Sequence, residues 1–190
     1  MRGEWCYFKS YFTPEQCNRI LEDGLKLPEK DAKMGVKGEI DNSEHRRSKI
    51  RFIQQTDSNF SWLFDEIWKL VIRANDDWFG FNVTKISYIQ LAEYDESYQG
   101  EYKRHHDVFW MNNDPHYHRK LTCVIQLTDP NEYEGGKLEL LDLVQYPNPE
   151  EVKLQGTAFF FPSFYYHQAT PVTKGKRYSL ACWFDGPKWR

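Results

Sequence analysis

Cysteine is scarce. Cys6, Cys17, Cys123 and Cys182 are the four in 190 residues, with no CxxC pair and none of the dense spacing that staples small secreted domains. This argues against a disulfide scaffold and predicts a reduced, cytoplasmic protein. Long apolar runs are also lacking. No segment approaches the run of about 20 apolar residues that spans a bilayer, and the opening MRGEWCYFKSYF has no uninterrupted apolar stretch of the signal-peptide kind. The expectation is a soluble protein with no membrane partner. A strong charge of one sign is missing too: 25 Lys and Arg against 28 Asp and Glu leave a net charge of -3, which gives no general electrostatic reason to bind nucleic acid. Internal repeats and low-complexity segments are absent.

What is present is a globular composition, 40% hydrophobic and 17% aromatic, in a chain long enough to bury one core without staples. A single domain over residues 1–190 is expected. Thr13-Pro14-Glu15-Gln16 reads as a helix start, with Thr as N-cap, Pro at the first helical position and Gln closing a capping box. A second helix is expected from Ser61 to Trp78, where Leu63, Ile67, Leu70, Val71 and Ala74 recur at helical spacing. Between them, from about Leu27 to Ser48, charges mix with Pro, Gly and Asn without a period, which predicts a surface loop or flap. His45, Arg46 and Arg47 belong to that charged flap and are expected on a solvated surface.

Beyond Val83 short runs rich in β-branched and aromatic residues alternate with turn residues. They predict strands at 83–94, 102–107, 119–127, 137–141, 152–154, 157–161, 166–172 and 177–184. The fold class is therefore mainly β with supporting helices: residues 1–82 give helical support and flap, residues 83–190 a double-sheet jelly-roll core.

The chemistry begins with His105 and Asp107. Residues i and i+2 on a strand share a face and can bind one ion together, while His106 points the other way. A third ligand has to come from elsewhere, and His167 follows the apolar run Ala158-Phe159-Phe160-Phe161-Pro162. A histidine in that setting is ordinarily a core residue bonded to a carbonyl; the sequence ten residues on changes the reading. Arg177 and Ser179 share a strand face and together could grip a carboxylate. Two histidines and a carboxylate form the facial triad that leaves positions on Fe(II) open for a chelating cosubstrate and O2.

This order and spacing resembles the prolyl 4-hydroxylase-like branch of the 2-oxoglutarate/Fe(II) dioxygenases. The likeness runs from about Lys85 to Asp185. It includes Tyr94, the stretch Tyr102-Lys103-Arg104-His105-His106-Asp107, the Glu134-Gly135-Gly136-Lys137-Leu138 segment read as a tight hairpin, and Arg177-Tyr178-Ser179 leading to Trp183-Phe184. The resemblance implies a double-stranded β-helix, His105, Asp107 and His167 as iron ligands, and Arg177 as partner of the distal 2-oxoglutarate carboxylate. It implies Tyr94 near the cosubstrate, with ordinary strand core an equal reading, and O2 and optionally ascorbate as co-reactants. The implied reaction turns 2-oxoglutarate into succinate and CO2 and hydroxylates a substrate carbon. Asp107 favours hydroxylation, since related halogenases lack that carboxylate. Gln126 departs from the pattern, because animal prolyl hydroxylases tend to carry a tyrosine on that strand.

The expected substrate is a prolyl residue in a peptide or protein. The alternatives are a free amino acid or other small molecule, or a metal-binding jelly roll without turnover. Nucleic acid ranks last, and a zinc hydrolase is disfavoured by the lack of an HExxH motif. Tyr98, Phe109, Trp110, Tyr165 and Trp183 are candidates for a substrate groove. His116 and His118, in a turn-rich insertion, are expected to be solvated or substrate-facing rather than a second metal site. The sequence leaves the oligomeric state open.

Overall fold

Alternation along three long strands organises the molecule. The computed structural model describes residues 3–31, 44–108, 110, 114 and 116–189. In chain order the elements are β1 (Cys6–Phe8), α1 (Pro14–Gly24), β2 (Lys30–Asp31), β3 (Arg46–Arg47), β4 (Lys49–Ile53), α2 (Ser61–Ala74), β5 (Lys85–Asp95), β6 (Glu101–His105), β7 (Tyr117–Gln126), β8 (Tyr133–Gly135), β9 (Leu138–Leu140), α3 (Pro149–Val152), β10 (Ala158–Pro162), β11 (His167–Ala169) and β12 (Val172–Pro187). The large sheet runs β1-β10-β7-β12-β5-β4-β2 with β8 on β12, and the small sheet runs β3-β6-β11-β9. The jelly-roll class expected from the strand pattern is the class observed.

On β5, β7 and β12 the side chains divide by period two. Ile89, Leu91, Leu121, Cys123, Ile125, Leu180, Cys182 and Phe184 face the helices, where they pack with Cys17, Ile20, Leu63, Ile67, Leu70, Val71 and Ala74 in the main core. Burying each Leu, Ile, Val or Phe among them is worth roughly 1.5–3 kcal/mol, so the helices fix one face of the large sheet. The alternate residues, among them Gln90, Ala92, Thr122, Val124, Ser179 and Trp183, line a cleft. They are held in register by β12, which pairs with β5 on one side and β7 on the other.

The capping box at Thr13 forms as read, with Thr13 accepting from the Gln16 backbone and Gln16 accepting from that of Thr13. The second helix fills the expected range: α2 runs to Ala74 and continues without a break as a π-helical turn, Asn75–Phe79. Two expectations fail. The strand predicted at 152–154 does not form: α3 ends at Val152 and a turn follows at 153–154, because Asn148 caps the Glu150 backbone and Pro149 takes the first helical position, a helix-start signal that outweighs two apolar residues in a short run. The 134–138 hairpin does not form either. Gly135 and Gly136 have φ of 77° and 57°, as a turn requires, yet the strands flanking them separate, β8 joining β12 and β9 joining β11.

Most of the expected flap, residues 32–43, lies outside the described residues. Its described ends are ordered in strands β2 and β3, and β1 and β4 were not foreseen either. No helix among the described residues is long and apolar enough to cross a membrane.

Candidate metal and cosubstrate centre

His105 and His167 are opposed in the β6–β11 ladder, so the small sheet sets two imidazoles side by side with ring centroids 4.2 Å apart. β6 ends at His105, and Asp107 reaches the same point by another route. Its backbone N–H donates to the Ser163 carbonyl at 2.8 Å, its carboxylate accepts from Thr122 Oγ1 at 2.8 Å, and the Ser163 hydroxyl supports Thr122 at 3.0 Å. The carboxylate is thus pinned to the large sheet and aimed at the small one. One donor atom from each of the three residues lies within 4.8 Å of the others, the only such group of three among the described residues.

The donor chemistry suits a divalent transition metal. His105 Nδ1 donates to the Lys103 carbonyl at 2.8 Å and His167 Nδ1 to the Tyr165 carbonyl at 3.1 Å. Both bonds fix the tautomer that leaves Nε2 with its lone pair. Those Nε2 atoms face Asp107, at 3.8 Å and 3.5 Å. Burial, and after it the neighbouring His167, drives the His105 pKa down to about 3, keeping that imidazole neutral. Burial pushes the Asp107 carboxyl up, but His167, His105 and Arg119 outweigh it and hold the group at about 2. A neutral imidazole and an ionised carboxylate are the forms that bind metal.

The cosubstrate candidates lie in the same cleft. Arg177 is 2% exposed, and its Nε and Nη2 both donate to Gln126 Oε1, at 3.1 Å and 2.9 Å. Its guanidinium sits 5.3 Å from the Tyr94 ring, the residue opposite it on β5. Ser179 lines the cleft two residues on, opposite Gln126. The departure at Gln126 therefore has a structural consequence, since an amide oxygen holds the arginine in place. All six candidate residues, His105, Asp107, His167, Arg177, Tyr94 and Ser179, open onto one cleft.

His106 stays out of it, packing edge-on against Tyr166 and Trp110. Of the groove aromatics only Trp183 reaches the cleft among the described residues; Tyr98 bonds the Glu93 carbonyl, Tyr165 joins a small core, Trp110 is half exposed, and Phe109 lies outside the described residues. His116 and His118 contribute nothing to the cluster.

Sequence reasoning missed Thr122, Ser163, Gln90, Tyr102 and Arg46. Tyr102 stacks on His105 with centroids 3.4 Å apart and lies under the guanidinium of Arg46 at 4.4 Å. Arg46, expected on a solvated flap, is 9% exposed and lines the cleft. The reason is its pairing with Tyr102 across the β3–β6 ladder, which turns it inward.

Residues 89–185 match the 2OG-Fe(II) oxygenase superfamily. A PKHD-type hydroxylase of Aliarcobacter butzleri (strain RM4018) is 36% identical over 90 residues, covering 45% of this chain and 38% of that protein. A PKHD-type hydroxylase of Nitrosomonas europaea is 43% identical over 63 residues, 33% of this chain and 26% of that protein. The matched stretch thus spans well under half of each relative's length. Among solved structures, a prolyl hydroxylase of Trichoplax adhaerens in complex with a hypoxia inducible factor peptide superposes with TM-score 0.74 at 19% identity, over 95% of this chain and 83% of that one. A viral collagen prolyl hydroxylase of Paramecium Bursaria Chlorella virus-1, in its 2OG complex, gives 0.70 at 17% identity, covering 97% of both. These two likenesses concern the fold. The sequence match covers just over half the chain, including the whole His105-to-Arg177 span, and on that ground the chain belongs to the 2OG-Fe(II) oxygenase superfamily.

Proposed function

We propose that the protein is an Fe(II)- and 2-oxoglutarate-dependent hydroxylase acting on a prolyl residue of a peptide or protein. The observation that carries this reading is the convergence of His105, Asp107 and His167 in one cleft with the buried fork of Arg177. His105 and His167 would each give Nε2, and Asp107 one oxygen, leaving the remaining positions on the metal open. When bound, Fe(II) with O2 and 2-oxoglutarate supplies the oxidation that yields succinate, CO2 and a hydroxylated carbon.

The chain's own residues set the geometry. Thr122 and Ser163 hold the Asp107 carboxylate, and the Lys103 and Tyr165 carbonyls hold the two imidazoles. Arg177 supplies a permanent cation at the depth of the cleft, where low dielectric strengthens its grip on a carboxylate. Ser179 adds a hydroxyl beside it. Tyr94 offers its ring to the same guanidinium. The prolyl part of the reading is supported by the PKHD-type relatives and by two prolyl hydroxylases of the same fold. All four cysteines are free and buried, which supports a reduced, cytoplasmic setting.

The test is anaerobic addition of Fe(II) and 2-oxoglutarate, which should raise a weak visible charge-transfer band. Air and an end-blocked prolyl peptide should then give succinate and one added oxygen on the peptide by mass spectrometry. A well-folded sample with no band overturns the cofactor assignment. A band with succinate but an unmodified set of prolyl peptides overturns the substrate.

A further inference from the structure

The cleft holds two buried guanidinium groups, and among the described residues neither meets a carboxylate. Arg177 has Gln126 and the Tyr94 ring. Arg46 donates from Nε to Ser48 Oγ and from Nη2 to Gln90 Oε1, both at 2.8 Å, and lies over Tyr102. Nearby acids are engaged elsewhere: Glu101 with Arg47 at 2.8 Å, and Glu93 with Arg51 and Lys176. Arginine cannot shed its proton, and a buried cation without a counter-ion is costly. A charge placed this way is balanced when an anion enters the cleft.

The two arginines stand on different walls. Arg177 is on β12 of the large sheet and Arg46 on β3 of the small one, beside the strand that carries His105. Under the proposed function Arg177 takes the cosubstrate's distal carboxylate. Of the five N–H donors a guanidinium offers, Arg46 spends two on Ser48 and Gln90 and keeps others for a ligand. Neutral partners at the back of the fork are what an anion site needs, since they hold its position without quenching its charge.

We propose that Arg46 is a specificity-determining residue that binds a carboxylate of the substrate. The inference rests on the hydroxylase chemistry proposed above and leaves the choice between a peptide and a free amino acid to the experiment. The carboxylate belongs either to a free amino acid or to an acidic side chain beside the target residue in a peptide.

The experiment uses Fe(II)-loaded protein with 2-oxoglutarate and reads succinate release with four probes: L-proline, L-prolinamide, and two end-blocked peptides with Glu or Gln next to the proline. In the wild type one acid of a pair should exceed its amide by about 10-fold or more in kcat/KM, the scale of one charge-assisted hydrogen bond. R46Q should bring that ratio close to one through KM, and R46K should restore part of it. The pair that discriminates identifies the source of the carboxylate. Equal response to acid and amide, a preference that survives in R46Q, or no response to either acid while the wild type still forms the charge-transfer band overturns the proposal. A wild type without the band instead marks failure of the hydroxylase reading itself.

Discussion

His105 and His167 are direct cross-strand partners on β6 and β11, so one backbone register sets the spacing of two of the three donors. Asp107, two residues past His105, crosses to the large sheet, whereas His106 turns to Tyr166 and Trp110. Replacing Asp107 with Ala should therefore reduce Fe(II)-dependent succinate formation to background. His106→Ala should keep it within about threefold, the ordinary scale for a residue outside the reacting set. Equal loss in both variants would contradict the division of roles between neighbouring residues.

Thr122 touches no metal position, yet it donates the hydrogen bond that fixes Asp107. Groups that orient a ligand typically matter by 10- to 100-fold in metal affinity. Thr122→Val keeps the volume and removes the hydroxyl. It should weaken Fe(II) binding about 10- to 100-fold in a chelator competition, while the KM for 2-oxoglutarate at saturating iron changes little. Thr122→Ser, which keeps the donor, should recover most of the affinity.

What the sequence made legible was local. Arg177 and Ser179 share a face by the period of β12, so short-range alternation was enough to pair them, whereas β6 ends at His105 and the expected strand face does not extend to Asp107, which the Ser163 carbonyl and Thr122 hold instead. Thr122, Gln90 and Arg46 enter the cleft, and Ser163 supports Thr122 from behind it, through registers between strands far apart in the chain, and no local pattern encodes those registers. Arg46 shows this most plainly. Its neighbours in sequence are charged and polar, but its partner across the ladder is Tyr102, and the ladder decides its direction. At 152–154 a two-residue apolar alternation was too short to outweigh the Asn148-Pro149 helix start. At Gly135-Gly136 the turn was legible, but the choice of sheet for each flank was not.

Gly135 is a position where the turn conformation and a close approach coincide. Its φ is 77°, and a Cβ there would lie 2.1 Å from the Pro171 carbonyl oxygen. Gly80 has a similar φ of 68° with nothing within 4 Å. Both alanine variants bear left-handed strain, but only Gly135→Ala adds a backbone collision. The expectation is a loss of about 1 kcal/mol for Gly80→Ala and about 3 kcal/mol or more for Gly135→Ala, read from urea unfolding. Similar losses at both sites would show that β8 yields easily at Pro171.

Arg177 presents a sharper test of cosubstrate recognition, because the amide of Gln126 already orients it. Both Nε and Nη2 point to one oxygen, which fixes the plane of the fork before any ligand arrives. Arg177→Lys keeps the charge but offers a point donor in place of the planar fork, and it leaves Gln126 Oε1 with at most one of its two bonds. Hydrogen bonds to charged groups are worth about 1.5–3 kcal/mol, so the KM for 2-oxoglutarate should rise roughly 10- to 100-fold in the lysine variant. Gln126→Leu should raise the same KM less, since the charge and the fork remain and only their anchoring is lost. Fe(II) affinity in the absence of 2-oxoglutarate should stay near wild type in both, because neither residue contacts His105, Asp107 or His167. If Gln126→Leu weakened cosubstrate binding as much as Arg177→Lys, the amide would be a direct ligand contact rather than the support of the arginine.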